Sequence, residues 1–233
     1  MNIALIPARA GSKRIPGKNV RDFCGAPMIA YPIRAALASG CFDRVIVSTD
    51  SQDIARIARE AGAEVPFLRP AELADDRTGT APVVRHAISE LGLAAYGDDA
   101  LCCIYATAPF VRAADLAAGL AALRACDADF AFAVGRFAAP IQRALRIDGH
   151  GLLSMFDATQ YMQRSQDLEP TYHDAGQFYW GTVHAWLRSG QPYEQSVVPV
   201  LLQPHRVQDI DTLEDWRRAE LMFRVLQEQG SAQ

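Results

Sequence analysis

The loop that follows the first apolar run is dense in groups that bind phosphate. Asn2-Ile-Ala-Leu-Ile-Pro7 leads directly into Ala8-Arg-Ala-Gly-Ser-Lys-Arg-Ile-Pro-Gly-Lys-Asn19. Four cations stand there, Arg9, Lys13, Arg14 and Lys18, beside the small residues Ala8, Gly11, Ser12 and Gly17. Glycines let a backbone come close to phosphate oxygens and present N–H donors. Guanidinium and ammonium groups add a planar fork and a point charge. Ser12 and Asn19 supply neutral donors. This is the chemistry of a polyanion receptor, and a nucleoside triphosphate is the obvious occupant. The loop contains neither Gly-x4-Gly-Lys-Ser/Thr nor Gly-x-Gly-x-x-Gly, so it is neither a P-loop nor a dinucleotide-binding turn. Composition alone also allows a solvated basic loop after an edge strand. The order strand, Pro, Arg, Gly-Ser-Lys, Pro, Lys-Asn favours a site.

A second constellation is Asp209-Ile-Asp211. In an extended segment, period-2 geometry turns both carboxylates to one face and Ile210 to the other, which places two hard oxygen ligands together. Such a pair suits Mg²⁺, which binds one or two carboxylates and completes its shell with water and phosphate oxygens. The competing reading is structural: Thr212-Leu-Glu-Asp215 fits the pattern of a helix cap. The two are compatible, since Thr212 can cap while the aspartates face the site.

These groups need a scaffold, and the chain alternates strand-like and amphipathic helical runs, the pattern of a doubly wound, mostly parallel α/β sheet. Helices are expected over 27–39 (with Ile29, Ile33, Ala36 and Leu37 on one face, an irregularity at Pro32 and a stop at Gly40), from Ser51 as N-cap to Ala61, and over 80–91, 113–125 and 213–228. The last carries Leu213, Trp216, Ala219, Phe223 and Leu226 on one stripe. Strands are expected at 45–48, 101–105, 130–134, 178–183 and 197–202. The stretch from Gly135 to Gly176 breaks the alternation and is too long for an ordinary loop. At 233 residues, half of them hydrophobic, the chain can form one domain with a full core. Its net charge of −4 argues against a nucleic-acid or anionic-membrane partner. No apolar run approaches the roughly 20 residues that span a bilayer, and no signal peptide is evident, so a cytoplasmic protein is expected. Five cysteines without metal spacing read as free thiols.

The phosphate loop closely resembles that of the cytidylyltransferases that activate nine-carbon 2-keto acid sugars. Asp43-Arg-Val-Ile-Val-Ser-Thr-Asp50, Phe67-Leu-Arg-Pro-Ala-Glu-Leu-Ala-Asp75, Tyr105-Ala-Thr-Ala-Pro109 and Asp209-Ile-Asp-Thr212 resemble further blocks of that family in family order. Cys102 to Phe110 and Asp174 to Gly181 are most similar to its pseudaminic acid branch. The resemblance implies transfer of CMP from CTP to the anomeric hydroxyl of a nonulosonic acid with release of pyrophosphate. It also implies a homodimer, and Mg²⁺ on Asp209 and Asp211. Arg9 and Lys18 then serve the triphosphate, Lys18 nearest the α-phosphate or leaving group, and Arg69 and Thr80 lie near the cytosine. By sequence alone Thr80 reads more simply as a helix N-cap before Pro82, and Arg69 equally as a surface ion-pair residue.

The implied acceptor carries a carboxylate, so its pocket needs a cation and aromatic walls. Arg136, Arg143 and Arg164 are the cations within reach, and Tyr172, His173, Phe178 and Tyr179 the aromatic candidates. Phe178 and Tyr179 are adjacent in a strand, so only one faces the site. In the family the 135–176 excursion builds the sugar pocket and a dimer contact. Tyr105 stands where the sialic acid branch carries Gln, and Ala175 where it carries Asn; both weaken an assignment to sialic acid. Legionaminic, sialic and octulosonate acceptors remain as alternatives. So does a non-catalytic nucleotide-binding module, although Lys18, Asp209 and Asp211 are all present.

Overall fold

The computed structural model describes residues 1–93, 99–188 and 192–231. Its centre is a six-stranded sheet. β1 (Asn2–Pro7) pairs in parallel with β4 (Arg44–Ser48) on one side and β5 (Ala100–Ile104) on the other. Beyond β5 come β9 (Tyr172–Thr182), β6 (Phe130–Arg136) and the edge strand β10 (Val197–Leu202). β9 runs antiparallel to both its neighbours, and every other pairing is parallel. The small ribbons β2–β3 (Asp22–Phe23, Ala26–Pro27) and β7–β8 (Leu145–Ile147, Leu153–Met155) lie outside this sheet.

Alternation along each strand divides the core. Ala4, Ile6, Cys102, Ile104, Phe178 and Trp180 face α1 (Ala30–Ser39), α2 (Gln52–Glu60) and α4 (Ala113–Ala125). Ile3, Leu5, Leu101, Cys103, Phe132 and Tyr179 face α3 (Thr80–Glu90) and α5 (Val183–Leu187). Helices therefore cover both faces, as parallel strands buried on both sides require. A third cluster joins Trp216 and Ala219 of α6 (Leu213–Ser231) to Phe23, Met28, Phe110, Ile210 and Ile15.

Packing around β9 is tight. A Cβ at Gly181 would lie 2.5 Å from Phe130 and 2.6 Å from Trp186 Nε1, whose N–H donates to Leu101 O. Gly181→Ala is therefore expected to cost about 1–3 kcal/mol of stability through overpacking, read as a lowered denaturant midpoint at unchanged m-value.

Most of the expected elements form, with instructive shifts. α4 spans the expected residues, Ser51 caps α2 by accepting from Ile54 N, and Gly40 ends α1 at φ 63°. α1 begins later than expected, because Ala26-Pro27 is taken up by the β2–β3 ribbon. Pro32 then falls in the first turn, where a missing N–H costs nothing, so no kink is needed. Leu37 and Leu213, expected on buried faces, are exposed. The 135–176 stretch is no structureless loop. It extends β6 and β9 at its ends and holds the β7–β8 ribbon between short 3-10 turns.

Candidate functional site

Strand order reverses between β1 and β5: the chain leaves β1 for β4 on one side and returns to β5 on the other. In open α/β sheets ligands bind at such a switch point, beyond the carboxyl ends of the strands. The expected phosphate loop emerges there. Ala8, at its start, is buried and spends its N–H on Ser48 O, so it anchors the loop and contributes no donor. Ile15 is fully buried against the α6 cluster and pins the far side. Between them Ala10 N donates to Asp50 Oδ1 at 2.9 Å, Asn19 Nδ2 donates to Arg9 O at 2.9 Å, and Gly17 turns at φ 65°.

The loop cations are already held by carboxylates. Arg9 donates to Asp76 at 2.5 Å and Lys13 pairs with the same group. Those two partners hold the Asp76 carboxyl down at about 2. Arg14 meets Asp211 at 2.6 Å, and Lys18 Nζ lies 3.4 Å from its other oxygen. Lys18 is the sheltered member, its side chain 15% exposed against 81% for Lys13 and 69% for Arg14.

A crevice of about 230 Å³ lies among these groups, lined by Pro7, Arg9, Ser12, Lys18 and Asn19 on one side and by Arg69, Thr80 and Tyr105 on the other. Arg69 corrects one of the sequence alternatives: it is no surface ion-pair residue but 6% exposed, and its Nε and Nη2 have no hydrogen-bond partner. Burial lowers its pKa, with Asp50 acting in the opposite sense. A buried donor without a partner costs about 1–3 kcal/mol, a penalty that a bound acceptor group would remove. Thr80 corrects another expectation. Gly79 occupies the N-cap of α3, and Thr80 Oγ1 instead lies 3.2 Å from Tyr105 Oη.

Thr80 and Tyr105 form a seam, because they also line a second cavity of about 670 Å³ with Arg85, Phe132, Asp174, Tyr179, Trp186 and Tyr193. Tyr179 is the member of the Phe178–Tyr179 pair that faces it. Phe178 is fully buried on the opposite face of the sheet and is a core residue. Arg136, Arg143, Arg164 and Tyr172 do not line this cavity. Arg136 borders a separate cavity of about 510 Å³ with Phe137, Pro140 and Ser165. Arg143 donates to Ser165 Oγ at 3.2 Å, Arg164 pairs with Asp167 at 2.7 Å, and Tyr172 is exposed. All four belong to the excursion, and none of them lines the crevice or the larger cavity.

Asp209 and Asp211 flank Ile210, which is 1% exposed, in an irregular segment rather than a strand. Thr212 and Asp215 form the expected reciprocal cap of α6: Asp215 N donates to Thr212 Oγ1 and Thr212 N to Asp215 Oδ2. The side chains of Asp209 and Asp211 are thus spared capping duty, although Asp211 N also donates to Asp215 Oδ2. No group of three or more His, Cys, Asp or Glu side chains stands together among the described residues. A metal on this pair would therefore draw the rest of its shell from water and phosphate, as Mg²⁺ does.

A cytidylyltransferase family model matches residues 3–184. The chain belongs to the cytidylyltransferase family. The pseudaminic acid cytidylyltransferase of Campylobacter jejuni subsp. jejuni serotype O:2 is 41% identical to this cytidylyltransferase over 96% of the chain and 97% of its own length. The CMP-N,N'-diacetyllegionaminic acid synthase of Legionella pneumophila is 32% identical over 97% of both. A solved structure of CMP:2-keto-3-deoxy-manno-octonic acid synthetase complexed with CTP shares the fold, with a TM-score of 0.69 at 15% identity over 96% of this chain and 98% of that one.

Several residues that shape the loop and the larger cavity carry no local signal in the sequence. Asp50 stands two residues beyond the end of β4, at the carboxyl edge of the sheet, and holds the loop through Ala10 N. Phe132, on β6, meets Trp186 and Tyr193, more than 50 residues later, only in the folded chain.

Proposed function

We propose that this cytidylyltransferase joins CMP from CTP to the anomeric hydroxyl of pseudaminic acid and releases pyrophosphate. The observation that carries the reading is the pairing of two spaces across one seam. One is a narrow crevice with sheltered Lys18 and unpartnered Arg69; the other is a larger aromatic-walled cavity sharing Thr80 and Tyr105. The first suits a nucleotide and the second a sugar, and the strong likeness to a pseudaminic acid cytidylyltransferase favours that acceptor.

In this reading Arg9, Lys13, Lys18 and the donors Gly11, Ser12 and Asn19 hold the triphosphate, while Arg69 and Thr80 meet the cytosine. Attack on the α-phosphorus builds charge on the phosphoryl oxygens and the departing pyrophosphate. Positioning and electrostatic neutralisation are then the main tasks of the protein. Asp209 and Asp211 would hold Mg²⁺, which supplies Lewis-acid polarisation of phosphate and acidification of a bound hydroxyl when present. CTP is a cytoplasmic substrate, so the proposed reaction runs in the cytoplasm.

A homodimer joined through the excursions is part of the same reading. Ile147 is 71% exposed and Met162 85%, and Leu145, Leu152, Leu153, Phe156 and Tyr161 are exposed beside them in sequence. A concentration of exposed apolar side chains in one segment is the signature of an interaction surface. Light scattering at micromolar concentration should give twice the chain mass; a fully active monomer would refute this part.

The reaction is tested by pyrophosphate release from CTP with pseudaminic, legionaminic and sialic acids in parallel, with ATP, GTP and UTP as controls. Release with CTP and pseudaminic acid alone is expected. Release with another of the acids instead corrects the acceptor, and no release with any of them overturns the proposal.

A further inference from the structure

The larger cavity contains a feature that neither nucleotide binding nor phosphate chemistry uses. Asp174, on β9, is exposed and lines the cavity. Tyr179 Oη donates to it, 2.9 Å from each carboxylate oxygen, and Gly176 N donates to Oδ1 at 2.8 Å. The Tyr179 ring lies 5.2 Å from that of Tyr105, whose hydroxyl reaches Thr80. A line of side chains, Thr80, Tyr105, Tyr179 and Asp174, therefore runs from the nucleotide crevice into the cavity. Burial pushes both phenols up, so they stay protonated, and Tyr179 remains a donor to Asp174 at any working pH.

The charge of this space fixes which end of an acceptor it can take. Among the described lining residues the arginine is Arg85, which keeps its charge but spends its Nε and Nη2 donors on the carbonyls of Trp186 and Arg188, both at 3.0 Å. Asp174 and Glu194 are the lining carboxylates. An acid group placed beside Asp174 would meet like charge, whereas the crevice across the seam is rich in cations. In a 2-keto acid sugar the anomeric carbon bears the carboxylate directly. Both must then lie toward the crevice, and the far end of the sugar, with its acylamino groups, extends into the cavity. Each such group combines an amide N–H donor with a small apolar cap. The cavity offers the complement: a carboxylate acceptor, with aromatic walls from Phe132, Trp186 and Tyr193.

Resting on the proposed reaction, we infer that Asp174 is a specificity-determining residue whose carboxylate accepts the N–H of one acylamino substituent of the acceptor sugar. The Tyr105–Tyr179 pair sets the span between that substituent and the nucleotide. Asp174→Asn isolates this role. An Asn oxygen can still accept from Tyr179 and Gly176, so the local structure is kept, but the other oxygen becomes an NH₂ donor that opposes a ligand N–H.

The experiment measures kcat and KM for wild type and Asp174→Asn with three acceptors: a 5,7-diacetamido nonulosonic acid, and its two counterparts with hydrogen in place of one acetamido group. A hydrogen bond to a charged group carries about 10- to 100-fold in affinity. KM for the diacetamido acid and for one counterpart should rise by about that factor in the variant. The other counterpart, lacking the group that Asp174 reads, should change less than about threefold, with KM for CTP unmoved. An equal loss with all three acceptors, or no loss with any, overturns the assignment while leaving the reaction standing. Failure of the wild type to use any of them overturns the underlying reaction as well.

Discussion

Lys18→Met lowers kcat/KM by roughly 100- to 1,000-fold, the range seen when one preorganised transition-state donor is removed, with most of the loss in kcat. Lys18 is singled out among the loop cations by shelter. Its side chain is 15% exposed, whereas Lys13 and Arg14 are more than two-thirds exposed. A charge screened by water contributes little, typically 0–1 kcal/mol as an exposed ion pair. Substituting Lys13 or Arg14 should therefore change the rate by less than about tenfold. Lys18→Arg should not restore the rate, because a planar fork does not replace a compact point charge in a formed crevice. Stability should hold within about 1 kcal/mol, since Asp211 keeps Arg14 as a partner. Pre-steady-state pyrophosphate release with saturating CTP reads the effect. A loss under tenfold, or one confined to KM for CTP, would reduce Lys18 to ground-state binding.

The contrast between Lys18 and its neighbours marks what a sequence conveys about this site. The polyanion loop was legible because glycines, cations and a preceding apolar run are local signals, and α4 and β10 were legible because their periodicity and limits are local too. The difference in exposure among the cations was not, since the surroundings of Lys18 include residues as distant as Asp211, 193 positions away. Thr80 departs from its local pattern for a similar reason. Its position before Pro82 fits a cap, but Gly79 takes that place and Tyr105, on the far side of the switch point, takes the hydroxyl. For Phe178 and Tyr179, strand alternation showed that one must be core; which one depends on the pairing of β9 with β5 and β6. Chemical need alone groups the excursion arginines with the site, yet Arg136 borders a separate cavity and Arg143 and Arg164 meet local partners. A dimer through the exposed excursion would give those residues a neighbour that one chain does not show.

Asp211→Asn separates the two roles open to its carboxylate, and the expected result is a fall in kcat of roughly 100-fold, about 2.7 kcal/mol of transition-state stabilisation, with KM for CTP changed less than about threefold. In the structure Asp211 lies against Arg14 and Lys18. If orienting those cations were its whole task, Asn would release them, and the consequence would fall on CTP binding with no dependence on Mg²⁺. If Asp211 and Asp209 are the Mg²⁺ ligands proposed above, Asn removes an anionic ligand and keeps the shape. The Mg²⁺ concentration for half-maximal rate then rises, and saturating Mg²⁺ recovers only part of the loss. The anchoring of the segment favours a clean comparison. Ile210 is buried between the two aspartates, and the cap of α6 is carried mainly by Thr212 and Asp215. Asp211 contributes only its backbone N–H to that cap, which Asn retains. A Mg²⁺ titration of both proteins at saturating CTP decides the matter: equal turnover with an unchanged half-maximal Mg²⁺ concentration would remove Asp211 from the metal site and leave it as the counter-ion that holds Lys18 in place.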